Sequence, residues 1–495
     1  MDIIKETITA EKCIRIGDAQ ALVEGTAKLP EGFREIGGVL ETSAVCEVLS
    51  QTAAQGSIGL EGKVRFSIVY IDKEGEIRAF ESECSFIHRA EDERVCPEMQ
   101  VLASANICEC MAKAADEGVF MRALIGIDMI CVMNEELMAV TESSVTGKNI
   151  EKLVVREKLP RLAACGNTKL YITDEVELPQ NLPVCSEVLL SRAYAVLGKT
   201  HAEEGKLILE GDIRFFILYR AADKNAPLRF FSGTMPFGEI IQEDAACEEL
   251  FARLQVERLG VSCENGNTFI VSAVLGVHYI CTEWHEASFV SDVYSPLFDC
   301  ETEQQQLSCG ILKNSRPEKR IIRLPLHIPD SYPEAARVLS ALGHAQLTAM
   351  EKKGDKCELT GVLSLSLCYA TADAGIRNIR QNIPFECEAA VPMDADVQIM
   401  VEVIETEGAG YELDLKLSLF IDASETVKNE SCILTDLSLS PAKEPAEPGI
   451  IVYYAGGEET FWDIAKAFRA DAAQFMKEDY FAHVPAGKKL LIIRH

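Results

Sequence analysis

Basic residues are scarce in this sequence, and long hydrophobic runs are missing from it. The 495 residues include 48 lysines and arginines against 78 aspartates and glutamates, which gives a formal net charge of −30 at pH 7. So strong a negative charge repels phosphate backbones and anionic lipids, and we therefore expect no nucleic-acid binding. No segment approaches the roughly 20 consecutive apolar residues of a membrane-spanning helix, and we expect no membrane insertion.

Signals for export and for cysteine chemistry are also missing. The amino terminus, MDIIKETITAEKCIRIG, lacks the basic start, apolar core and cleavage site of a signal peptide. The 18 cysteines form no C-x-x-C pair, and most lie in apolar runs, where a thiol packs as a small hydrophobic group. Cys108 and Cys110 are closely spaced, but no matching histidines or cysteines favour a metal site. We expect a cytoplasmic protein of a reducing compartment, without metal or other cofactor.

One sequence phrase occurs three times. It reads LEGKVRFSIVY, LEGDIRFFILY and LTGVLSLSLCY at residues 60–70, 209–219 and 359–369, at intervals of 149 and 150 residues. The prolines that end KLP, ELP and HIP keep the same spacing, at Pro30, Pro179 and Pro329. Several anchors in one frame indicate duplicated domains. We predict repeats at 1–150, 151–300 and 301–440.

Apolar and polar residues alternate within each copy. In the third copy Leu363, Leu365 and Leu367 alternate with serines, and YELDLKLSLF (411–420) has the same pattern. A period of two directs one side of a strand toward a core and the other toward water. We therefore predict a mainly β fold of three tandem antiparallel β-domains. Short helices are expected only near EEL (248–250) and PEAARVLSAL (333–342), and turns at DKEG (72–75), DKNAP (223–227) and ADAG (372–375).

The repeats contain no catalytic motif. GKT at 198–200 resembles the end of a phosphate-binding loop, but Ala193 lies where that loop requires glycine. His278 and His285 flank YICTEW (279–284) and are expected in a strand and at its exit, which does not favour a metal site. The copies share proline, glycine, tyrosine and apolar positions, which is typical of a scaffold. We expect no catalytic residues and no enzyme activity.

The carboxy-terminal tail has a different pattern. SPAKEPAEPG (440–449) predicts an extended proline-rich linker over 441–449. Residues 450–495 then predict a small α+β domain with the order βααβ. Thr460 and Asp463 form a capping box for the first helix, and Asp471 with Gln474 gives a similar signal for the second. An apolar stripe of the first helix comprises Phe461, Ile464, Ala465 and Phe468.

This tail resembles the LysM domain family. The matching positions are Tyr454, Gly457, Thr460, Phe461, Trp462, Ile464, Ala465, Phe468, Gly487, Leu490 and Ile492. The resemblance implies a groove for N-acetylglucosamine-containing glycans, such as peptidoglycan, between two loops. The candidate binding residues are Gly457, Glu458, Glu459, Thr460, Phe461, Trp462, Glu478, Asp479, Tyr480 and Phe481. The sequence departs from the family at Glu459, which lengthens the first loop, at Asp479, where asparagine is usual, and at Arg494.

Trp462 has two interpretations. A tryptophan on an amphipathic helix packs into the core beneath that helix, or else it is partly exposed and anchors a partner, since tryptophan is enriched in binding hot spots. The tail also carries six basic and six acidic side chains, so the net charge resides in the repeats.

The three β repeats followed by a LysM-like tail resemble the SPOCS-repeat spore-coat proteins of spore-forming clostridia. This resemblance implies a non-enzymatic scaffold in the mother-cell cytoplasm, at the forespore surface. Its LysM domain would bind the basement-layer coat ATPase, and its β repeats would contact other coat proteins. The alternative is a peptidoglycan-binding protein that acts through the tail. The sequence does not indicate how the repeats are oriented.

Overall fold

The fold is mainly β, as the sequence predicts. The computed structural model describes residues 3–115, 118–145, 150–203, 205–222, 228–373, 375–441, 447–475 and 481–494. The strands of the first repeat are β1 (Lys5–Ala27), β2 (Ile36–Ala54), β3 (Ser57–Asp72), β4 (Ile77–Glu91), β5 (Gln100–Ala115) and β6 (Gly118–Val140). Those of the second repeat are β7 (Glu151–Glu177), β8 (Cys185–Glu203), β9 (Lys206–Ala221), β10 (Leu228–Gln242), β11 (Glu249–Glu264) and β12 (Thr268–Tyr294).

The third repeat has the same strands, but its first strand is divided. Its strands are β13 (Phe298–Asn314), β14 (Glu318–His327), β15 (Arg337–Lys353), β16 (Lys356–Ala370), β17 (Ile376–Ala389), β18 (Asp396–Ala409) and β19 (Glu412–Pro441). Both β13 and β14 pair with β19, and Pro317 lies between them. Proline has no N–H to donate to a β ladder, which explains a break at this point.

Each repeat consists of two antiparallel sheets that face each other across a core. One sheet holds the second, third and fourth strands, in the orders β2-β3-β4, β8-β9-β10 and β15-β16-β17. In the other sheet the first and fifth strands pair with the long last strand. The orders are β1-β6-β5 and β7-β12-β11 in the first two repeats. In the third repeat, where the first strand is split, β13, β14 and β18 all pair with β19. The recurring phrase forms β3, β9 and β16, the central strands of the first sheets.

The tyrosine that ends each copy of the phrase has the same role three times. Tyr70, Tyr219 and Tyr369 are fully buried in their respective cores. Each hydroxyl donates a hydrogen bond to the backbone carbonyl 36 residues earlier, in Arg34, Pro183 and Pro333, at 3.1, 3.0 and 2.9 Å. A buried phenol hydroxyl needs such an acceptor. These three hydrogen bonds therefore explain why all three copies of the phrase end in tyrosine.

Two helix predictions are wrong. The structure places Glu249 and Leu250 at the start of β11, and residues 337–342 of PEAARVLSAL in β15. Leu339 and Leu342 of β15 are buried between repeats, so tertiary packing overrides the helical propensity of the segment. The turn at DKEG is confirmed, since Asp72 Oδ1 accepts hydrogen bonds at 2.9 Å from the N–H groups of Glu74 and Glu76. The DKNAP turn lies outside the described residues, as does residue 374 of ADAG.

The three repeats pack around a common centre. The fifth strand of one repeat faces the second strand of another: β11 contacts β2, and β5 contacts β15. At the third junction Glu402 of β18 forms an ion pair with Arg214 of β9, and Tyr194 of β8 lies beside them. Each repeat therefore touches the other two, which closes a ring of three. Within one cluster of this ring the buried residues come from all three repeats: Ile8, Leu137, Leu159, Phe289, Leu307 and Ile433.

The tail forms one small unit after the third repeat. It contains β20 (Gly449–Tyr454), α1 (Phe461–Ala467), a 3₁₀ turn (Ala472–Phe475) and β21 (Lys489–Arg494), and β20 pairs with β21 in an antiparallel hairpin. The predicted βααβ order is therefore only partly found, because the second helix is a single 3₁₀ turn in the described residues. None of the helices described is long and apolar enough to cross a membrane.

Candidate functional site

The predicted capping box of α1 is confirmed. The Thr460 hydroxyl accepts a hydrogen bond from Asp463 N–H at 3.1 Å, and Asp463 Oδ2 accepts one from Thr460 N–H at 2.9 Å. The capping box satisfies two backbone donors at the start of a short helix. The apolar stripe of α1 then packs onto the hairpin, with Phe461, Ile464 and Ala465 buried beside Leu490 and Ile492.

The first predicted binding loop lies beside the segment that precedes β21. Val484 N–H donates to the Glu459 carbonyl at 2.8 Å, and the His483 ring lies 2.9 Å from the Glu458 carbonyl through Nδ1. Gly457 has φ +102°, a left-handed conformation that favours glycine, and its Cα faces Ala486. Residues 457–461 and 481–484 are thus brought together, whereas Glu478, Asp479 and Tyr480 lie outside the described residues.

Glu459 and Phe481 differ in their availability to a ligand. The Glu459 carboxylate accepts hydrogen bonds from Tyr453 Oη at 2.6 Å and from Gly456 N–H at 3.1 Å. These two donors lower the pKa of Glu459. The extra residue of this loop therefore forms its hydrogen bonds with other residues of the tail. The Phe481 side chain is 53% exposed.

Trp462 is buried, in agreement with the first of its two interpretations. Its ring is only 3% exposed and meets Tyr294 of β12 edge-on, with ring centroids 4.9 Å apart. The indole Nε1–H donates to Asp292 Oδ2 at 2.8 Å. Both contacts belong to the second repeat, so Trp462 anchors the tail to its own chain and is not an exposed anchor for a partner.

Further polar contacts surround this anchor. Lys466 Nζ lies 2.6 Å from Asp292 Oδ2, and Arg469 forms an ion pair with Asp299. The Tyr294 hydroxyl donates to the Ala470 carbonyl at 2.7 Å. These pairs could not be predicted from sequence, because Asp292 and Trp462 are 170 residues apart and share no motif.

We expect Asp292→Ala to loosen the tail from the second repeat. The substitution leaves the buried indole N–H of Trp462 without its acceptor, and we expect a loss of about 2 kcal/mol in docking free energy. Hydrogen–deuterium exchange of residues 461–467 in the full chain should accelerate about 30-fold, which is the same energy expressed as a rate ratio. Glu286→Ala on the same strand replaces an exposed acid and serves as the control. Unchanged exchange in Asp292→Ala would contradict the anchor.

The outer face of the tail hairpin is apolar and exposed. Its residues are Ile450, Val452 and Tyr454 of β20 with Lys489, Leu491 and Ile493 of β21. Val452 lies opposite Leu491, and Ile450 lies opposite Ile493. The exposed fractions of Ile450, Val452 and Leu491 are 69%, 50% and 56%.

Such a face is unusual for a hairpin with one side already covered. Antiparallel sheets with one buried face normally carry polar residues on the other, whereas here both faces of β20 and β21 are mainly apolar. Contiguous exposed apolar residues on a soluble domain typically mark an interaction site. We refer to these six residues as the outer face of the tail.

Metal chemistry has no visible support in the part of the chain that the structure describes. No group of three or more histidine, cysteine, aspartate or glutamate side chains there is arranged to hold a metal ion. His278 is buried, and its pKa is lowered to about 4 by burial and by the neighbouring Arg253, so it stays neutral. Burial raises the pKa of the Cys110 thiol to about 11, which disfavours its reactive thiolate form.

Comparison with known proteins gives one family match. Residues 186–264 match the family model described as SipL, SPOCS domain. No curated protein and no solved structure matches the chain. The matched segment extends from the second residue of β8 to the last residue of β11, so it covers the second to fifth strands of the second repeat. The long flanking strands β7 and β12 complete that unit, and the chain therefore contains a SPOCS domain in its second repeat.

Proposed function

We propose that this chain is a non-enzymatic scaffold of endospore coat assembly. In this proposal the LysM-like tail binds the basement-layer coat morphogenetic ATPase, and the β repeats contact other coat proteins at the forespore surface. The SPOCS match in the second repeat supports a sporulation role. The recurrence of the same two-sheet unit, with shared packing residues, supports a structural role for the repeats.

The observation that carries the proposal is the outer face of the tail. Five of its six residues are apolar, and they come from two paired strands, so they form one continuous surface. A protein partner can bury such aliphatic side chains, which gains roughly 25 cal/mol for each Å² removed from water. Lys489 lies at the rim, opposite Tyr454, which favours a partner whose apolar patch is bordered by acidic groups.

Glycan binding is the second candidate, and one observation favours it. The loop 457–461 and the segment 481–484 lie side by side, joined by the bridge between Thr460 and His483. This is the arrangement that the LysM resemblance implies for a sugar groove. Against it, Trp462 is buried on the second repeat and Glu459 bonds within the tail, so neither is directed toward a ligand.

The test is binding of the full chain to the purified coat ATPase. We expect the double variant Val452→Thr/Leu491→Thr to bind at least tenfold more weakly, because two central apolar residues of the outer face become polar. Threonine suits a strand, so the hairpin should be retained. Ile87→Thr is the matched control, since Ile87 is an aliphatic residue of β4 that is 81% exposed.

Two results would contradict the proposal. One is equal ATPase affinity of the double variant and the wild-type chain. The other is retention of the wild-type chain on purified peptidoglycan together with no measurable ATPase binding, which would favour the glycan candidate. Thermal unfolding of the three proteins should coincide, so that a loss of binding reflects the surface and not the fold.

A further inference from the structure

A cavity of about 750 Å³ lies where the three repeats meet. All three repeats contribute to its wall, through β2 and β5, β8 and β11, and β15 and β18. The cavity reaches the surface beside Thr348 and Asp394, which are exposed. Its volume falls in the range of roughly 300–1,000 Å³ that is usual for small-molecule sites.

The cavity wall is symmetric in backbone but not in chemistry. Val45, Tyr194 and His344 hold equivalent positions in the three repeats, 149 and 150 residues apart, and all three line the cavity. Arg192 also lines it, two residues before Tyr194. The copies have therefore diverged at the wall, where the second repeat contributes a cation and a phenol and the third an imidazole.

The acidic groups inside the cavity wall already have cationic partners. Asp128 forms an ion pair with Arg253, and Asp396 pairs with Arg253 at 2.8 Å and with Arg15 at 3.2 Å. Asp394 lies at the mouth, in contact with solvent. These carboxylates are therefore compensated or hydrated, and they leave no buried negative charge for a cation to bind.

Arg192 differs from Arg15, the other arginine among the lining residues of this wall. Its guanidinium makes no hydrogen bond or ion pair with any residue that the structure describes. Burial lowers the pKa of Arg192. The nearby Glu41 carboxylate is bound to other groups, since it accepts hydrogen bonds from Ser340 Oγ at 2.6 Å and Ser366 Oγ at 2.7 Å. Arginine stays protonated in proteins, so the wall carries a partly buried positive charge that has no ion pair among the described residues.

Two neutral groups lie close to this charge. The Tyr194 hydroxyl is buried and has no hydrogen-bond partner among the described residues. The pKa of His344 is held well below its usual value by burial and by Arg192, so the ring is neutral, and its one N–H is used in a hydrogen bond with the Ile107 backbone. The guanidinium and the phenol are therefore the groups that offer donors to an anion.

We propose that this cavity binds a small anion that carries phosphate or carboxylate groups. Arg192 supplies the charge-assisted hydrogen bonds, since its planar fork matches both groups, and the Tyr194 hydroxyl supplies a neutral donor. The site is independent of the tail and of its partner, because every lining residue belongs to the repeats. The ligand would bridge the second and third repeats at their junction.

The test is isothermal titration of the full chain with inorganic phosphate, pyrophosphate and citrate in turn. We expect saturable binding of at least one probe, with one site per chain. Arg192→Met should weaken that binding at least tenfold, because it keeps the length of the side chain but removes the charge. Arg122→Met is the matched control, since Arg122 lies on β6 outside the cavity wall and pairs with Glu24 on the surface. It should bind the probe like the wild-type chain.

A second variant tests the cavity independently of Arg192, in case Arg192→Met disturbs the fold. Ala345→Phe narrows the cavity without any change of charge and should also weaken binding. Arg192→Met itself should unfold at about the same temperature as the wild-type chain, because Arg192 is only partly buried and forms no ion pair among the described residues. Binding as tight in Arg192→Met as in the wild type would overturn the proposal. So would the absence of saturable binding of all three probes up to about 10 mM.

Discussion

Replacing Arg253 by methionine is expected to lower the free energy of unfolding by about 3–5 kcal/mol, because a buried carboxylate loses its counter-ion. Arg253 belongs to the second repeat and is paired with Asp128 of the first and Asp396 of the third. Its side chain is 11% exposed. After the substitution Asp396 keeps Arg15 at 3.2 Å, whereas Asp128 loses its ion pair. One guanidinium joins all three repeats, so its removal weakens the ring at its centre.

Urea denaturation followed by circular dichroism measures this effect. Arg258→Met is the matched control, since Arg258 is on the same strand, β11, and is exposed. Surface substitutions of that kind usually change stability by no more than about 0.5 kcal/mol. If both variants unfolded at the same urea concentration, Arg253 would not be the charge that holds the repeats together.

Glu41→Gln is expected to stabilise the chain by about 3 kcal/mol near pH 8. Glu41 is fully buried between the first and third repeats. Burial raises its pKa from the usual 4.5 to about 7, while the hydrogen bonds from Ser340 and Ser366 oppose this shift. Each pKa unit corresponds to about 1.4 kcal/mol, so ionising Glu41 inside the folded protein costs about 3 kcal/mol. Glutamine avoids this cost, because its amide is neutral at every pH and can still hydrogen-bond to the two serines.

The sign of the pH dependence follows from the raised pKa. Between about pH 4.5 and 7 the folded chain holds a proton on Glu41 that the unfolded chain has released, so stability falls as the pH rises through this range. Glu11, which accepts a hydrogen bond from Thr282 of the second repeat at 2.6 Å, also has a pKa raised to about 7 and acts in the same direction. Glu41→Gln removes only the part of this pH dependence that is due to Glu41.

Urea unfolding at about pH 5, 6.5 and 8 measures the difference, and the profile of Glu41→Gln should be flatter than that of the wild-type chain. Glu31→Gln, at an exposed position, controls for the loss of one acid. Parallel pH profiles for the wild type and Glu41→Gln would contradict the assignment of a buried, protonated carboxyl.

The repeated phrase was sufficient to predict most of the fold. Alternation at Leu363, Leu365 and Leu367 correctly identified a strand with one buried side, and all three leucines are in the third core. The tail was predicted in part, since the capping box at Thr460 is found. The expected second helix is limited to Ala472–Phe475 in the described residues, and the signal at Asp471 marks a 3₁₀ turn instead.

The contacts between units could not be predicted from local pattern. Arg253, Glu41 and Asp292 each lie on a strand whose periodicity explains only which way the side chain points. Their partners are in other repeats or in the tail, 125 or more residues away. The alternation of apolar and polar residues along a strand does not distinguish an arginine that faces solvent from one that joins three repeats. The outer face of the tail was missed for a similar reason, because an aliphatic strand is normally read as wholly buried.

The placement of the tail sets how many outer faces one chain presents. Three separate copies of a repeat that each carried a tail would present three binding ends, whereas this single chain follows its third repeat with one tail and fixes it on the second repeat through Trp462 and Asp292. In the proposed function each chain therefore offers one outer face to the coat ATPase, and its contacts with other coat proteins are made through the repeats.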